Sequence, residues 1–284
     1  MASRIAAPLA GAAKAHLTAL EARWSGSLHL QMLAAPLRKC IVTSRILPTS
    51  LMLQLKPVTL PNSTTAIPSK SKRAGSERIV MLPDQILHPK FARKKPDKGL
   101  WVTLDPRVYA QLHKKASYKI VSSEATLLAG MEELVERQLA ERVVQEAELL
   151  ERRFRGRRRL DLFDASGEGE DWAFSIQIAA KGEKGRDDDA GVLGTKPSFK
   201  PTFKDVAQAD RFRSAMRGLT PGETSAESKP DGNATVEYAE KVYRARRSHL
   251  TAPLGIALYR LKMWTSSPAP ASHSIVSRRI RSNS

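Results

Sequence analysis

Residues 98–159 read KGLWVTLDPRVYAQLHKKASYKIVSSEATLLAGMEELVERQLAERVVQEAELLERRFRGRRR. Within this stretch Leu100, Val102 and Leu104 alternate with Trp101 and Thr103, and a period of two residues predicts a strand with one buried face. A ribbon this short is not stable by itself, so we expect it to pair with another strand.

Two helices are expected to follow this strand. The Asp105–Pro106 pair predicts the start of the first helix, because an Asp side chain accepts from the free amides of a first turn and a Pro at that position loses no hydrogen bond. We expect this helix to end near Lys119. A second, longer helix is predicted to open at Ser122 or Ser123, since apolar side chains then recur at helical spacing as far as Phe154.

The order strand, helix, turn, helix resembles the ribbon-helix-helix family, the Arc/MetJ type of DNA-binding protein, over Gly99–Leu139. The resemblance implies a mainly α fold with a short β-ribbon, in which a ribbon-helix-helix-like core is flanked by long disordered basic arms. The turn at Tyr118–Val121 departs from the family pattern, which usually has Gly or a polar residue there. If the chain does not break at this turn, one continuous helix results.

The resemblance also implies how the chain would bind DNA. Two chains would pair their strands as a homodimer, and the ribbon would lie in the major groove. Gly99, Trp101 and Thr103 would then face the base edges, while the amides of Ser122 and Ser123 would hold a backbone phosphate. An unrelated helical hairpin fits the same pattern, and in that case Trp101 is a core side chain.

The charge of the whole chain indicates a polyanionic partner. The 284 residues carry a formal net charge of +18, and aromatic side chains make up only 6% of them. Such an excess favours nucleic acid first and an anionic membrane surface second. No apolar run is long enough to span a bilayer, so we expect no integral membrane association.

Two groups of basic residues are predicted to contact phosphates. The first is Lys94, Lys95 and Lys98, just before the strand, and the second lies at the end of the long helix. Guanidinium groups this dense repel one another unless phosphates neutralise them. A plain solvated charge run is the other interpretation of both groups. The second group consists of Arg152, Arg153, Arg155, Arg157, Arg158 and Arg159.

Composition divides the chain into four regions. Residues 1–97 are predicted to be a disordered basic arm or a targeting segment, because Glu21 is the only acid among residues 1–76 and the bias resembles a mitochondrial transit peptide. A wrong start codon upstream would produce the same bias. The other regions are a DNA-binding domain with an extended second helix at 98–159, a possible additional strand at 160–180, and a largely disordered tail at 181–284 with a helix near 234–248.

Catalytic motifs are not found, and neither a cofactor nor a metal is expected. The sequence contains no phosphate-binding loop and no HExxH, and Cys40 is the single cysteine. One cysteine supports neither a disulfide framework nor a zinc site of several cysteines. We therefore expect a binding protein and not an enzyme.

Two functions compete. The first is a sequence-specific DNA-binding protein acting as a dimer, such as a repressor, a plasmid-partition or an origin-binding accessory factor, located on DNA in the cytoplasm. The second is a structural RNA-binding protein, for example a mitochondrial ribosomal component in the matrix. The N-terminal composition favours the second, whereas Gly99–Leu139 favours the first. We give preference to the first because the strand, the Asp-Pro start and the paired helices fit one register.

Overall fold

The computed structural model describes residues 21, 24–60, 78–91, 98–154, 162–164, 172–178, 196–219 and 241–266. The α-helices in this part of the chain are α1 (Leu28–Leu33), α2 (Pro106–Lys115), α3 (Met131–Phe154), α4 (Val206–Leu219) and α5 (Ala252–Thr265). The strands are β1 (Leu37–Lys39), β2 (Ile46–Pro48), β3 (Met52–Leu60), β4 (Arg78–Asp84), β5 (Leu100–Thr103), β6 (Thr126–Leu127), β7 (Phe163–Asp164), β8 (Trp172–Ile178), β9 (Ser198–Phe199) and β10 (Lys241–Arg246).

These strands form two four-stranded sheets and one hairpin. The first sheet has the order β5-β3-β4-β6, and the second has the order β7-β10-β8-β9. Each contains two antiparallel pairings and ends in a short parallel strand, which is β6 in the first sheet and β9 in the second. The hairpin pairs β1 with β2.

The predicted mainly α fold with a ribbon-helix-helix core is wrong. Helices hold 46% and strands 26% of the described residues, and the strands build three sheets in place of one short ribbon. Part of the predicted N-terminal arm is also folded, since β3 and β4 both come from residues 1–97. The sequence hid these strands because their pairing partners lie far apart along the chain, and because Lys56 and Pro57 interrupt the apolar pattern of β3.

The predicted strand at Leu100–Thr103 is confirmed, but it belongs to the first sheet. Leu100 and Val102 are buried, as the alternation indicates, and β5 pairs antiparallel with β3 of the same chain. A buried ion pair between Lys56 Nζ and Asp84 Oδ2, at 3.4 Å, lies in the neighbouring strands. This pair allows β3 to carry a lysine inside the core, because a buried charge needs a partner of opposite sign.

The first predicted helix starts as expected and ends earlier. The Asp105 side chain accepts from Arg107 N at 2.8 Å, and Pro106 occupies the first turn of α2. The helix stops at Lys115, because Ala116 adopts the left-handed conformation with φ of 50°. A short 3-10 turn, Ser117–Ile120, follows it.

The second predicted helix begins later than Ser122. Thr126–Leu127 instead forms β6, which runs parallel to β4, and Gly130 with φ of 74° precedes the first residue of α3, Met131. A positive φ is incompatible with a continuing right-handed helix, so the helical period holds only from Met131 onward. From there to Phe154 the predicted helix is confirmed.

The second sheet contains one strand that was predicted and one that was not. The alternation of Trp172–Ile178 is confirmed as β8. The helix predicted near 234–248 is wrong in its described part, because Lys241–Arg246 forms β10 between β7 and β8. Tyr243 and Ala245 are buried while their neighbours are more exposed, which is a strand period and not a helical one.

The helix α5 organises the core. It packs against α3 and α1, and Leu254, Leu258 and Trp264 are buried. The hydroxyl of Thr251 donates to the Arg246 carbonyl at 2.7 Å and so fixes the turn from β10 into α5. Gly255 lies so close to the second sheet that a Cβ there would be 2.8 Å from the Phe174 ring.

Candidate nucleic-acid interface

The outer edge of β5, which the ribbon-helix-helix resemblance would pair with a second chain, is occupied. Ile41 N donates a hydrogen bond to Trp101 O at 3.0 Å, and Thr103 N donates one to Cys40 Sγ at 3.3 Å. The opposite edge pairs with β3. A strand from another chain could bind here only by displacing the Cys40–Ile41 segment.

The three residues predicted to contact bases lie on one face of the first sheet. Trp101 stands opposite Gln54, and Thr103 stands opposite Met52. Both side chains are partly buried, and Trp101 packs against the core. Gly99 is packed as well, since a Cβ there would lie 2.6 Å from the Leu55 carbonyl oxygen. This face is therefore partly covered by the protein itself.

The residues predicted to contact phosphates are scattered. Ser122 and Ser123 lie in the turn before β6, away from any helix N-terminus, and Ser122 O accepts from Ala125 N at 3.1 Å. Lys98 is exposed beside β5, and Arg152 and Arg153 are exposed at the end of α3. The others lie outside the described residues, and these are Lys94, Lys95, Arg155, Arg157, Arg158 and Arg159.

Acidic side chains are concentrated on α3, where basic partners neutralise several of them. Arg211 of α4 forms ion pairs with Glu141 at 2.9 Å and with Glu148 at 2.8 Å. Lys204 pairs with Glu136 at 2.5 Å. The hydrogen bonds from Arg211 to Glu148 and Glu141 raise the pKa of Arg211 and hold α4 along α3. The side of the molecule formed by α3 and α4 therefore presents both signs of charge.

Two other segments contain basic residues and no acid. Neither residues 24–60 nor residues 241–266 include an Asp or Glu. The exposed bases of the first segment are in the β1–β2 hairpin, and those of the second lie in β10 and the turn that follows it. They are Arg38, Lys39, Arg45, Lys241, Arg246 and Arg247.

The helix α1 joins these two segments in space. Its His29 ring meets the Tyr259 ring of α5 edge to face, with centroids 6.0 Å apart. Just before α1, Gly26 lies against the β10–α5 turn, where a Cβ would be 2.9 Å from Arg247 Cγ. We call the exposed side chains of residues 24–46 and 246–249 the acid-free surface.

Large apolar side chains are exposed on this surface among the bases. Trp24 is 55% exposed, Leu37 is 58% exposed and Ile46 is 66% exposed. In the hairpin Lys39 stands directly opposite Ile46, so a charge and an aliphatic group are cross-strand neighbours. Basic groups neutralise phosphates, whereas an exposed aromatic ring offers a platform on which a base can stack.

The hairpin is attached to the core through Cys40. This residue is fully buried, and its backbone N donates to Arg45 O at 2.8 Å across the hairpin. Burial acts to raise the pKa of the Cys40 thiol, but hydrogen bonds from Thr103 and Thr43 lower that pKa to about 7. The thiol accepts hydrogen bonds from the strand and the turn, so it fixes the hairpin against β5.

A second group of exposed bases lies on α2 and the turn after it. Lys114 and Lys115 are exposed in the last turn of α2, and Lys119 is exposed in the 3-10 turn. At the start of the same helix, Arg107 is paired with Asp105 at 2.8 Å. This group contains no exposed aromatic ring comparable with Trp24.

Comparison with known proteins identifies no relative: no family model, curated protein or solved structure matches the chain. Among the described helices, none is both long and apolar enough to cross a membrane. The described His, Cys, Asp and Glu side chains form no group of three that could hold a metal ion. The distribution of charge is thus the main guide to function.

Proposed function

We propose that the protein is a non-catalytic RNA-binding protein that holds structured RNA on the acid-free surface. The observation that carries this proposal is the separation of charge. Among the described residues, half of the acids lie on α3, while the hairpin and the β10–α5 turn expose bases in segments that contain no acid. A surface rich in bases attracts a polyanion, and the affinity falls steeply with salt.

The exposed apolar side chains favour RNA over duplex DNA. Specific RNA recognition uses unpaired bases in loops and bulges, which stack on aromatic or guanidinium planes. Trp24 and Arg38 provide such groups on the acid-free surface, where Leu37 and Ile46 are also exposed. In a DNA duplex the bases are stacked inside, so these apolar side chains would face phosphates and water.

Sequence-specific binding of duplex DNA by a homodimer has weaker support. It was predicted from the ribbon-helix-helix resemblance, and the strand that would read the groove is paired on both edges within one chain. RNA binding requires no dimer. It also fits the mitochondrial matrix location that the basic N-terminal composition predicts.

Binding of the full-length chain to an RNA hairpin with a large loop, measured at rising salt, tests the proposal. The triple variant Arg38→Gln, Lys39→Gln, Arg45→Gln removes three exposed charges from the hairpin. We expect it to lower RNA affinity about tenfold or more, and to reduce the slope of log K against log salt by about 2, since each phosphate contact contributes about 0.7.

A matched control removes the same charge elsewhere. Lys114→Gln, Lys115→Gln, Lys119→Gln changes three exposed bases on and after α2, and we expect a smaller loss of affinity. Equal losses in the two triple variants would mean that net charge alone drives binding, and the acid-free surface would not be the site. Tighter binding to a DNA duplex of equal length than to the RNA hairpin would contradict the proposal.

A further inference from the structure

The guanidinium of Arg260, on α5, has no counter-ion among the described residues. Its Nη2 donates to the Met52 carbonyl oxygen of β3 at 3.1 Å. Its Nε is sealed from solvent and makes no hydrogen bond, and none of the described carboxylates forms an ion pair with it. Arg260 is only partly exposed, so water offsets little of this charge.

A second guanidinium lies nearby. Arg142 of α3 is 23% exposed and pairs with Glu146 at 2.6 Å. Burial, and after it the positive charge of Arg142, lower the pKa of Arg260 to about 10. His88 and Lys90, after β4, are also near Arg142, because the charges of Arg142, Lys90 and Glu146 all act on the pKa of His88, and Glu146 is the carboxylate among them. The group therefore keeps an excess of positive charge after its one ion pair is counted.

An uncompensated cation between a sheet and two helices is costly. Moving an ion out of water carries a penalty of several kcal/mol that only a close opposite charge or good hydrogen bonds can offset. In the first sheet, the buried charge of Lys56 is compensated by a carboxylate of the same chain, Asp84. In the part of the chain that the structure describes, Arg260 contacts only a neutral carbonyl, which leaves an anion as the missing partner.

We propose that Arg260, together with Arg142, binds a phosphate-type oxyanion. The planar guanidinium donates in a fork that matches tetrahedral oxyanions, and a phosphate group carries enough charge for two arginines, whereas one carboxylate offsets only one. Nη1 of Arg260 is the donor that the Met52 contact leaves available and that is not sealed from solvent, whereas Nε is buried beside it. The remaining exposure of Arg142 provides the route by which the anion enters.

This site does not depend on the acid-free surface, because neither arginine belongs to it. The phosphate can come from free inorganic phosphate or from the backbone of a bound RNA. Thermal unfolding of the full-length protein in inorganic phosphate, against chloride at equal ionic strength, tests the free form. The same comparison with an RNA hairpin in a phosphate-free buffer tests the backbone form.

Two variants at Arg260 make the test specific. Arg260→Met removes the charge and keeps most of the length, and Arg260→Lys keeps the charge but loses the fork. We expect phosphate or RNA to raise the unfolding temperature of the wild type, and Arg260→Met to weaken the apparent affinity for the stabilising anion about tenfold or more. The apparent affinity of Arg260→Lys for the anion should lie between those of the wild type and Arg260→Met, since one ammonium replaces a bidentate donor.

Arg213→Met is the matched control. Arg213 has its own counter-ion, Asp210 at 2.9 Å, so its replacement should leave the anion-dependent shift unchanged. Without added anion we expect Arg260→Met to be at least as stable as the wild type, because an unpaired charge is replaced by an apolar group. A large loss of stability in Arg260→Met that is the same with and without anion would show an internal carboxylate partner and overturn the proposal. The proposal would also be overturned if neither inorganic phosphate nor the RNA hairpin changed the unfolding temperature of the wild type.

Discussion

At the scale of single residues, local rules explain several features of the described chain. Asp105 accepts from the first turn of α2, and Gly130 adopts the positive φ that precedes α3. These positions depend on neighbours one to three residues away, so a pattern in the sequence was enough to predict the helix start at Asp105. The Ser122–Ser123 prediction failed because weak capping signals compete with a strand pairing that the local pattern does not reveal.

Replacement of the capping residue gives a first prediction. We expect Asp105→Ala to lower the free energy of unfolding by about 1 kcal/mol at neutral pH, since the amide of Arg107 loses its acceptor. Hydrogen bonds from the Arg107 side chain hold the folded pKa of Asp105 below its usual 3.8. A depressed pKa stabilises the fold above the unfolded value, and this contribution is lost as the pH falls below about 3.8.

Urea unfolding at pH 7 and near pH 2.5 measures this effect. The difference between Asp105→Ala and the wild type should shrink at the lower pH. Asp210→Ala is a suitable control, because Asp210 is exposed and its pair with Arg213 should contribute little. A pH-independent difference for Asp105→Ala would show that its carboxylate charge has no role in the cap.

At the scale of elements, the sequence predicted those with strong local periodicity. The strand at Leu100–Thr103, the helix α2, most of α3 and the strand β8 were all expected from their patterns. The strands β3, β4 and β10 were missed, since each is defined by pairing with a distant segment. The basic residues of the hairpin were noticed, but the lack of acids around them was attributed to a disordered arm or a targeting segment, because nothing local shows that these residues belong to a folded hairpin.

The end of α2 provides a prediction at this scale. Ala116 has φ of 50°, a left-handed conformation in which its Cβ is strained. We expect Ala116→Gly to raise the free energy of unfolding by about 0.5–1 kcal/mol, because Gly adopts this conformation without strain. Ala110→Gly, inside α2, is the matched control and should lower it by about 1 kcal/mol. Chemical denaturation compares the two, and loss of stability in both variants would contradict the assigned helix end.

At the scale of the whole molecule, α5 connects the two sheets. Arg260 contacts Met52 at the start of β3, while Gly255 lies against Phe174 of β8. A helix that contacts both sheets should make them unfold together. We therefore expect a single cooperative transition, with the same midpoint for probes in either sheet.

Gly255→Ala tests this coupling. The added Cβ would meet the Phe174 ring at 2.8 Å, and overpacking of this kind costs about 1–3 kcal/mol. Because α5 contacts both sheets, the unfolding midpoint should fall to the same lower denaturant concentration whether it is followed by Trp101 fluorescence in the first sheet or by Trp172 fluorescence in the second. Single-tryptophan variants separate the signals. Phe174→Leu in the same chain should recover part of the loss, and movement of only one signal would show that the sheets unfold independently.

The place of α5 in the chain has a consequence for synthesis. Residues 252–265 leave the ribosome after every strand described here. The first sheet therefore cannot pack against α5 until most of the chain has been made. Until then the apolar sides of β3, β5 and β8 remain in need of protection from aggregation, a task that chaperones perform. A chain that stops before Thr251 would thus lose far more than α5, and we expect it to be degraded or to aggregate in spite of containing every strand described here.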